Sequence, residues 1–213
     1  MEYLFFDIEC ANCYSGRGKI YSFGYVITDE NFNEIFPPRD VLMNPASNFD
    51  PYVKKNILAY DRKLFKTLPK FDEVYPEIRD LLCANNRICF GYGILNDLHF
   101  LKDDCARYAL PELEFPVYDV QKLIEIVENK KARRLDVEYS ERTGDEERGT
   151  HRSDEDAVRT AKIAELLCKS SGKKLHEIFA ENKDNPALSA EKKRAGAAIK
   201  DKNPETAKNT EEK

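Results

Sequence analysis

A chain of 213 residues with 41% hydrophobic residues, including 12 Phe and 11 Tyr, carries enough apolar surface for one good core rather than two. Its formal net charge of −5 excludes a protein held on nucleic acid by attraction over its whole surface; such a substrate would need a local basic patch or bound cations. Six widely spaced cysteines, an N-terminus that opens directly on a strand-like run without signal-peptide regions, and no run near the roughly 18 apolar residues of a membrane span lead to the expectation of a cytoplasmic protein with free thiols and no membrane contact.

Glu2 to Ile8, Ile20 to Thr28 and Glu34 to Met43 read as strands, with turn residues at Ser15-Gly16-Arg17-Gly18 and Asp29-Glu30-Asn31. Short links between them predict an antiparallel meander. From Pro51 to Cys83 the spacing turns helical, clearest in Phe71, Val74, Ile78, Leu81 and Leu82. Arg87 to Phe90 reads as a buried strand and Leu95 to Tyr108 as a helix with a stripe of Leu98, Leu101, Cys105 and Tyr108. Phe115 to Tyr118 is a further strand and Val120 to Glu128 a further helix, so this half predicts parallel pairing through crossover connections.

Asn129 to Thr150 is polar, with a basic cluster at Lys130, Lys131, Arg133 and Arg134 and an acidic one at Asp145, Glu146 and Glu147. A helix from Ser153 to Lys169 would bury Ala157, Val158, Ala161, Ala164, Leu167 and Cys168. Residues 1–181 are expected to form the folded domain. Residues 182–213, without an aromatic residue, are expected to be a charged, disordered tail.

Asp7 and Glu9 stand two apart on the first strand and leave the same face. Two such carboxylates repel unless a cation lies between them; the alternative is that the strand has ended and both face water. Asp97, following Gly91-Tyr92-Gly93 at the start of a helix, reads by itself as an N-cap or a first-turn acid favoured by the helix dipole, and becomes a candidate ligand only in the company of the other acids. Asp156 either closes a capping box with Ser153 or points into the same cavity as Asp7. His151 lies on a charged loop two residues ahead of the last long helix, either solvated or placed to take a proton from water. His99 and His176 read as packing or surface residues, and Cys10 and Cys13 as incidental thiols. The basic cluster at Lys130 to Arg134 either follows a single-stranded backbone or forms a solvated helix end.

Together, Phe5-Phe6-Asp7-Ile8-Glu9, Gly91 to Leu101 with Asp97, and His151-Arg152-Ser153-Asp154-Glu155-Asp156-Ala157 resemble the three motifs, in order, of the DnaQ-like 3′-to-5′ exonucleases of the DEDDh type. Phe23-Gly24-Tyr25 resembles the second strand of that family, and the likeness spans roughly residues 1 to 171. It implies an α/β, ribonuclease H-like mixed sheet flanked by helices, with two magnesium or manganese ions as cofactors. By similarity Asp7 would bridge both ions, Glu9 and Asp156 would complete the first, Asp97 would help hold the second, and His151 would be the general base. The implied reaction is metal-dependent hydrolysis at the 3′ end of DNA or RNA that releases nucleoside 5′-monophosphates. The implied partners are a single-stranded or 3′-end nucleic acid and a DNA polymerase or repair protein. The chain departs from the common pattern at Cys10, Tyr92, Gly93 and Asn96. Two other readings share the fold: a non-catalytic nucleic-acid-binding or interaction module, and a phosphodiesterase of short oligonucleotides.

Overall fold

Five strands form one sheet in the computed structural model, which describes residues 1–145 and 150–182. They are β1 (Glu2–Cys10), β2 (Ile20–Thr28), β3 (Glu34–Leu42), β4 (Arg87–Gly91) and β5 (Val117–Asp119), in the order β3-β2-β1-β4-β5. β1 pairs antiparallel with β2 and parallel with β4, β2 pairs antiparallel with β3, and β4 pairs parallel with β5. The mixed sheet is therefore the expected one. Around it lie α1 (Pro51–Asn56), α2 (Phe71–Leu82), α3 (Leu95–Arg107), α4 (Val120–Glu128), α5 (Leu135–Thr143), α6 (Ser153–Ser171) and α7 (Leu175–Glu181). None of the described helices is long and apolar enough to cross a membrane.

The central position of β1 explains its composition. A strand covered on both faces reads as a continuous apolar run, and Tyr3 to Phe6 are all buried. Leu4, Phe6 and Ile8 pack with Phe71, Ile78 and Leu101 of α2 and α3; Tyr3 and Phe5 pack on the other face with Ala157, Ala164 and Leu167 of α6 and with α4 and α7. β3 is an edge strand, where Pro37 and Pro38 interrupt no central ladder.

Two helices escape the periodicity. α5 lies in the polar stretch, and its moderate apolar face is supplemented by ion pairs: buried Glu138 bonds Arg142 at 3.1 Å, and Arg142 bonds Glu128 through two contacts of 2.8 Å. α7 is short, and it is held by Phe179 stacked on Tyr118 with ring centroids 4.2 Å apart. Elsewhere the differences are at the margins. Phe115 precedes β5 instead of lying in it, Val158 and Cys168 are only partly buried, and Ile163 joins the buried face of α6. The expected tail beyond Asn182, and Glu146 and Glu147 of the acidic cluster, lie outside the described residues.

Gly24 sets how closely α6 approaches the sheet. It pairs with Asp7 across β1 and β2, and a Cβ there would sit 2.0 Å from the Asp154 backbone nitrogen and 2.0 Å from the Ser153 carbonyl carbon. Those are backbone atoms, so an added methyl group must push the start of α6 away. Gly24→Ala should lower stability by about 1–3 kcal/mol, read as a lower urea midpoint with an unchanged slope. An unchanged midpoint would show that α6 docks without that close approach.

Candidate active site

Asp7 and Glu9 continue the face of β1 that Tyr3 and Phe5 begin, beyond the point where apolar packing stops. The parallel ladder between β1 and β4 runs from Glu2 opposite Arg87 to Phe5 opposite Phe90. Further along, the backbone N–H of Ile8 donates instead to the Asp97 carboxylate, at 3.0 Å. Asp97 is thus a first-turn acid of α3 and also a buried group tied between Asp7 and Glu9.

α6 supplies the remaining acid. The capping-box alternative fails for Asp156: the N-cap of α6 is Arg152, which makes no side-chain cap, and the Ser153 hydroxyl bonds the Ser22 hydroxyl of β2. Freed from capping, Asp156 meets Glu9 and His151, with one ligand atom of each lying within 4.8 Å of the others. Arg159, buried and one turn along α6, approaches Asp156 at 3.6 Å. His151 holds a left-handed backbone with φ of 56°. Non-glycine residues adopt that conformation at a cost, and such strain collects at functional sites. The structure therefore gathers Glu9, His151 and Asp156, and brings Asp97 against the backbone between Asp7 and Glu9.

The charges are badly balanced. Among the described residues, Arg159 is the only cation in ion-pair contact with any of the four acids. Burial, then Asp97, Asp156 and Glu9, raise the Asp7 carboxyl well above the usual carboxylate range. Glu9 is pushed up to about 8 by burial, with Asp156 and Asp97 adding to it. Burial pushes Asp97 up to about 8 against the opposing hydrogen bond from Ile8. Asp156 rises to about 6, again by burial, with Arg159 and His151 holding it down. Oxygen-rich donors with too little positive charge among them fit a hard divalent cation.

The RNase_T exonuclease family model matches residues 4–164. The chain belongs to the RNase_T exonuclease family. Among solved structures, E. coli exonuclease I in complex with a dA16 oligonucleotide matches at 15% identity and a TM-score of 0.67. The zinc-bound E. coli ExoI–ssDNA complex matches at 17% and 0.67, and an ExoI/SSB-Ct complex at 14% and 0.66. Each match covers 86% of this chain and 43% of the solved one, so the chain spans less than half the length of those structures. No curated protein matches the sequence.

Several parts of this site carry no separate signal in the sequence. The Ser22 hydroxyl also donates to Asp40 at 2.7 Å, Tyr60 donates to Asp40 at 2.5 Å, and Arg152 lies over the Tyr60 ring at 5.4 Å, which together seat the start of α6. The hydroxyl of buried Tyr21 has no hydrogen-bond partner among the described residues, and Glu9 and Asp40 reinforce the rise in its pKa that burial causes. Two of the four departures from the family pattern, Tyr92 and Gly93, serve the scaffold. Tyr92 donates to the Arg133 carbonyl, and Gly93, with φ of 65°, donates to the Asp119 carboxylate that caps α4. The basic cluster is mostly occupied: Lys130 pairs with Glu128 at 2.9 Å, Arg133 with Glu138 and Glu141, and Arg134 with Asp136 at 3.3 Å.

An acid whose folded pKa exceeds its unfolded value binds more protons in the folded state, so stability falls as pH rises between the two. For Glu9 that window runs from 4.5 to about 8, and for Asp97 from 3.8 to about 8. In EDTA the melting temperature should therefore drop as pH rises from about 5 towards 8, insofar as these groups control it. Asp7→Asn should raise stability by about 1–2 kcal/mol at the upper end. A less stable Asp7→Asn protein at that pH would contradict the repulsion.

Proposed function

We propose that this chain is a divalent-metal-dependent 3′-to-5′ exonuclease that hydrolyses the last phosphodiester of a single strand and releases nucleoside 5′-monophosphates. The observation that carries this reading is the convergence of Glu9, His151 and Asp156 beside Asp7 and Asp97, in a chain of the RNase_T family. Asp7, Glu9 and Asp156 would hold one magnesium or manganese ion, and Asp7 with Asp97 a second. When bound, the ions supply positive charge that offsets the carboxylates, lowers the pKa of water and stabilises the charge developing on the phosphate.

His151 takes a proton from the attacking water at a ring nitrogen, and its place at the rim beside Glu9 and Asp156 suits that role. Arg159 orients Asp156, and the Ile8 N–H orients Asp97, so both acids enter the reaction already positioned. The single-strand preference draws support from the exonuclease I complexes with oligonucleotides, and a protein partner from the ExoI/SSB-Ct complex.

A 5′-labelled single strand incubated with manganese should shorten one nucleotide at a time from its 3′ end, with nucleoside 5′-monophosphates as product. Asp7→Asn should abolish the activity, and His151→Ala should lower kcat by about 10²–10⁴-fold. Undiminished turnover by Asp7→Asn, or products bearing 3′-phosphates, would overturn the assignment.

A further inference from the structure

Between β3 and α2 the chain carries a segment whose charge neither the fold nor the catalytic chemistry uses. From Asp50 to Lys70 it holds six cations, Lys54, Lys55, Arg62, Lys63, Lys66 and Lys70, against two acids, Asp50 and Asp61, in a protein of net charge −5. All six cations are exposed, and none is in an ion pair among the described residues. Both acids are engaged locally: Asp50 accepts from the Tyr52 N–H at 2.7 Å and Asp61 from the Lys63 N–H at 2.9 Å. The contrast with the Lys130 to Arg134 cluster, most of which is spent on Glu128, Asp136, Glu138 and Glu141, is direct.

The segment is fastened to the active-site end of the sheet. Phe49 and Phe65 are buried against Tyr21 at the start of β2 and Ala11 just past the end of β1, with ring centroids of Tyr21 at 5.3 Å from both. The Asp50 N–H donates to the Ala11 carbonyl at 2.8 Å, and the Asn12 side chain bonds Ser47 and the Asn48 carbonyl. At its other side Tyr60 lies under Arg152, the neighbour of His151. Two exposed tyrosines accompany the cations: Tyr52, 65% exposed, and Tyr14, 47% exposed, whose hydroxyl donates to Asp50 at 3.2 Å. Uncommitted cations interleaved with exposed aromatic rings are what a single strand needs, charge for its phosphates and flat faces for its bases.

We infer that Asp50–Lys70, with Tyr14 beside it, is the surface that grips the sugar-phosphate backbone and bases of a single-stranded nucleic acid leading to the active site. This inference rests on the exonuclease reading above and adds the surface that compensates for a net negative protein. The segment draws the strand in by local charge, while Phe49 and Phe65 keep it in register with Glu9 and His151.

The test is equilibrium binding of fluorescein-labelled oligothymidylates of about 4 and about 16 nucleotides in EDTA, read by anisotropy across a salt series. Lys54→Ser/Lys55→Ser/Arg62→Ser/Lys63→Ser should weaken binding of the longer strand at least about tenfold at low salt. Its log–log salt slope should shrink by up to about 3, near 0.7 for each phosphate contact removed. Tyr52→Ala should weaken binding about tenfold through lost stacking. A control that removes equal charge elsewhere, Lys162→Ser/Lys169→Ser/Lys173→Ser/Lys174→Ser, should bind as wild type does. Unchanged affinity in the first variant, or equal losses in the first variant and the control, would overturn the inference. Hydrolysis of the p-nitrophenyl ester of thymidine 5′-monophosphate by the wild type with manganese reports separately on the catalytic reading, so the two failures are distinguishable.

Discussion

Where β4 stops at Gly91, the backbone of β1 runs on without its parallel neighbour, and the N–H of Ile8 is satisfied by the Asp97 carboxylate. A buried N–H left alone would cost on the order of 1–3 kcal/mol, so this bond holds the start of α3 against the end of the central strand. It also brings a third carboxylate beside Asp7 and Glu9. One satisfied donor thus fixes both the strand end and part of the acidic cluster.

The rest of the fold keeps the cluster together against its own repulsion. Gly24 lets the first turn of α6 lie almost on the β2 backbone, and the Ser22, Ser153 and Asp40 contacts lock it there, which delivers Asp156 and His151. The apolar packing on both faces of β1 is what offsets the unfavourable electrostatics at its tip. Stability and chemistry pull in opposite directions here, as expected of a site that concentrates like charges.

Much of this was readable from residue order, and the gaps have physical causes. The central strand, the meander and α2, α3, α4 and α6 follow from apolar periodicity, because each buries a distinct apolar face. α5 does not stand out because buried Glu138 and the charges around it, which contribute to its docking, look like a solvated loop in sequence. Asp97 and Asp156 were ambiguous singly, since first-turn acids are ordinary; only the fold shows that one binds the Ile8 N–H and that the other is no capping residue. Gly24 carried a usable signal, a glycine inside a strand where another backbone approaches. The cations of Asp50–Lys70 are equally visible in the sequence, but the denser Lys130 to Arg134 run stands out more, and only the fold shows that most of its charges are paired.

The claim on which everything else depends is that these carboxylates form one site short of positive charge. Calorimetric titration of manganese near pH 7, repeated in buffers of different ionisation enthalpy, measures that directly. Glu9 and Asp97, each raised to about 8, should give up protons as the ion enters. Manganese should bind saturably with net proton release, and this should disappear in Asp156→Asn. Binding without proton release, or binding indifferent to Asp156, would contradict that claim.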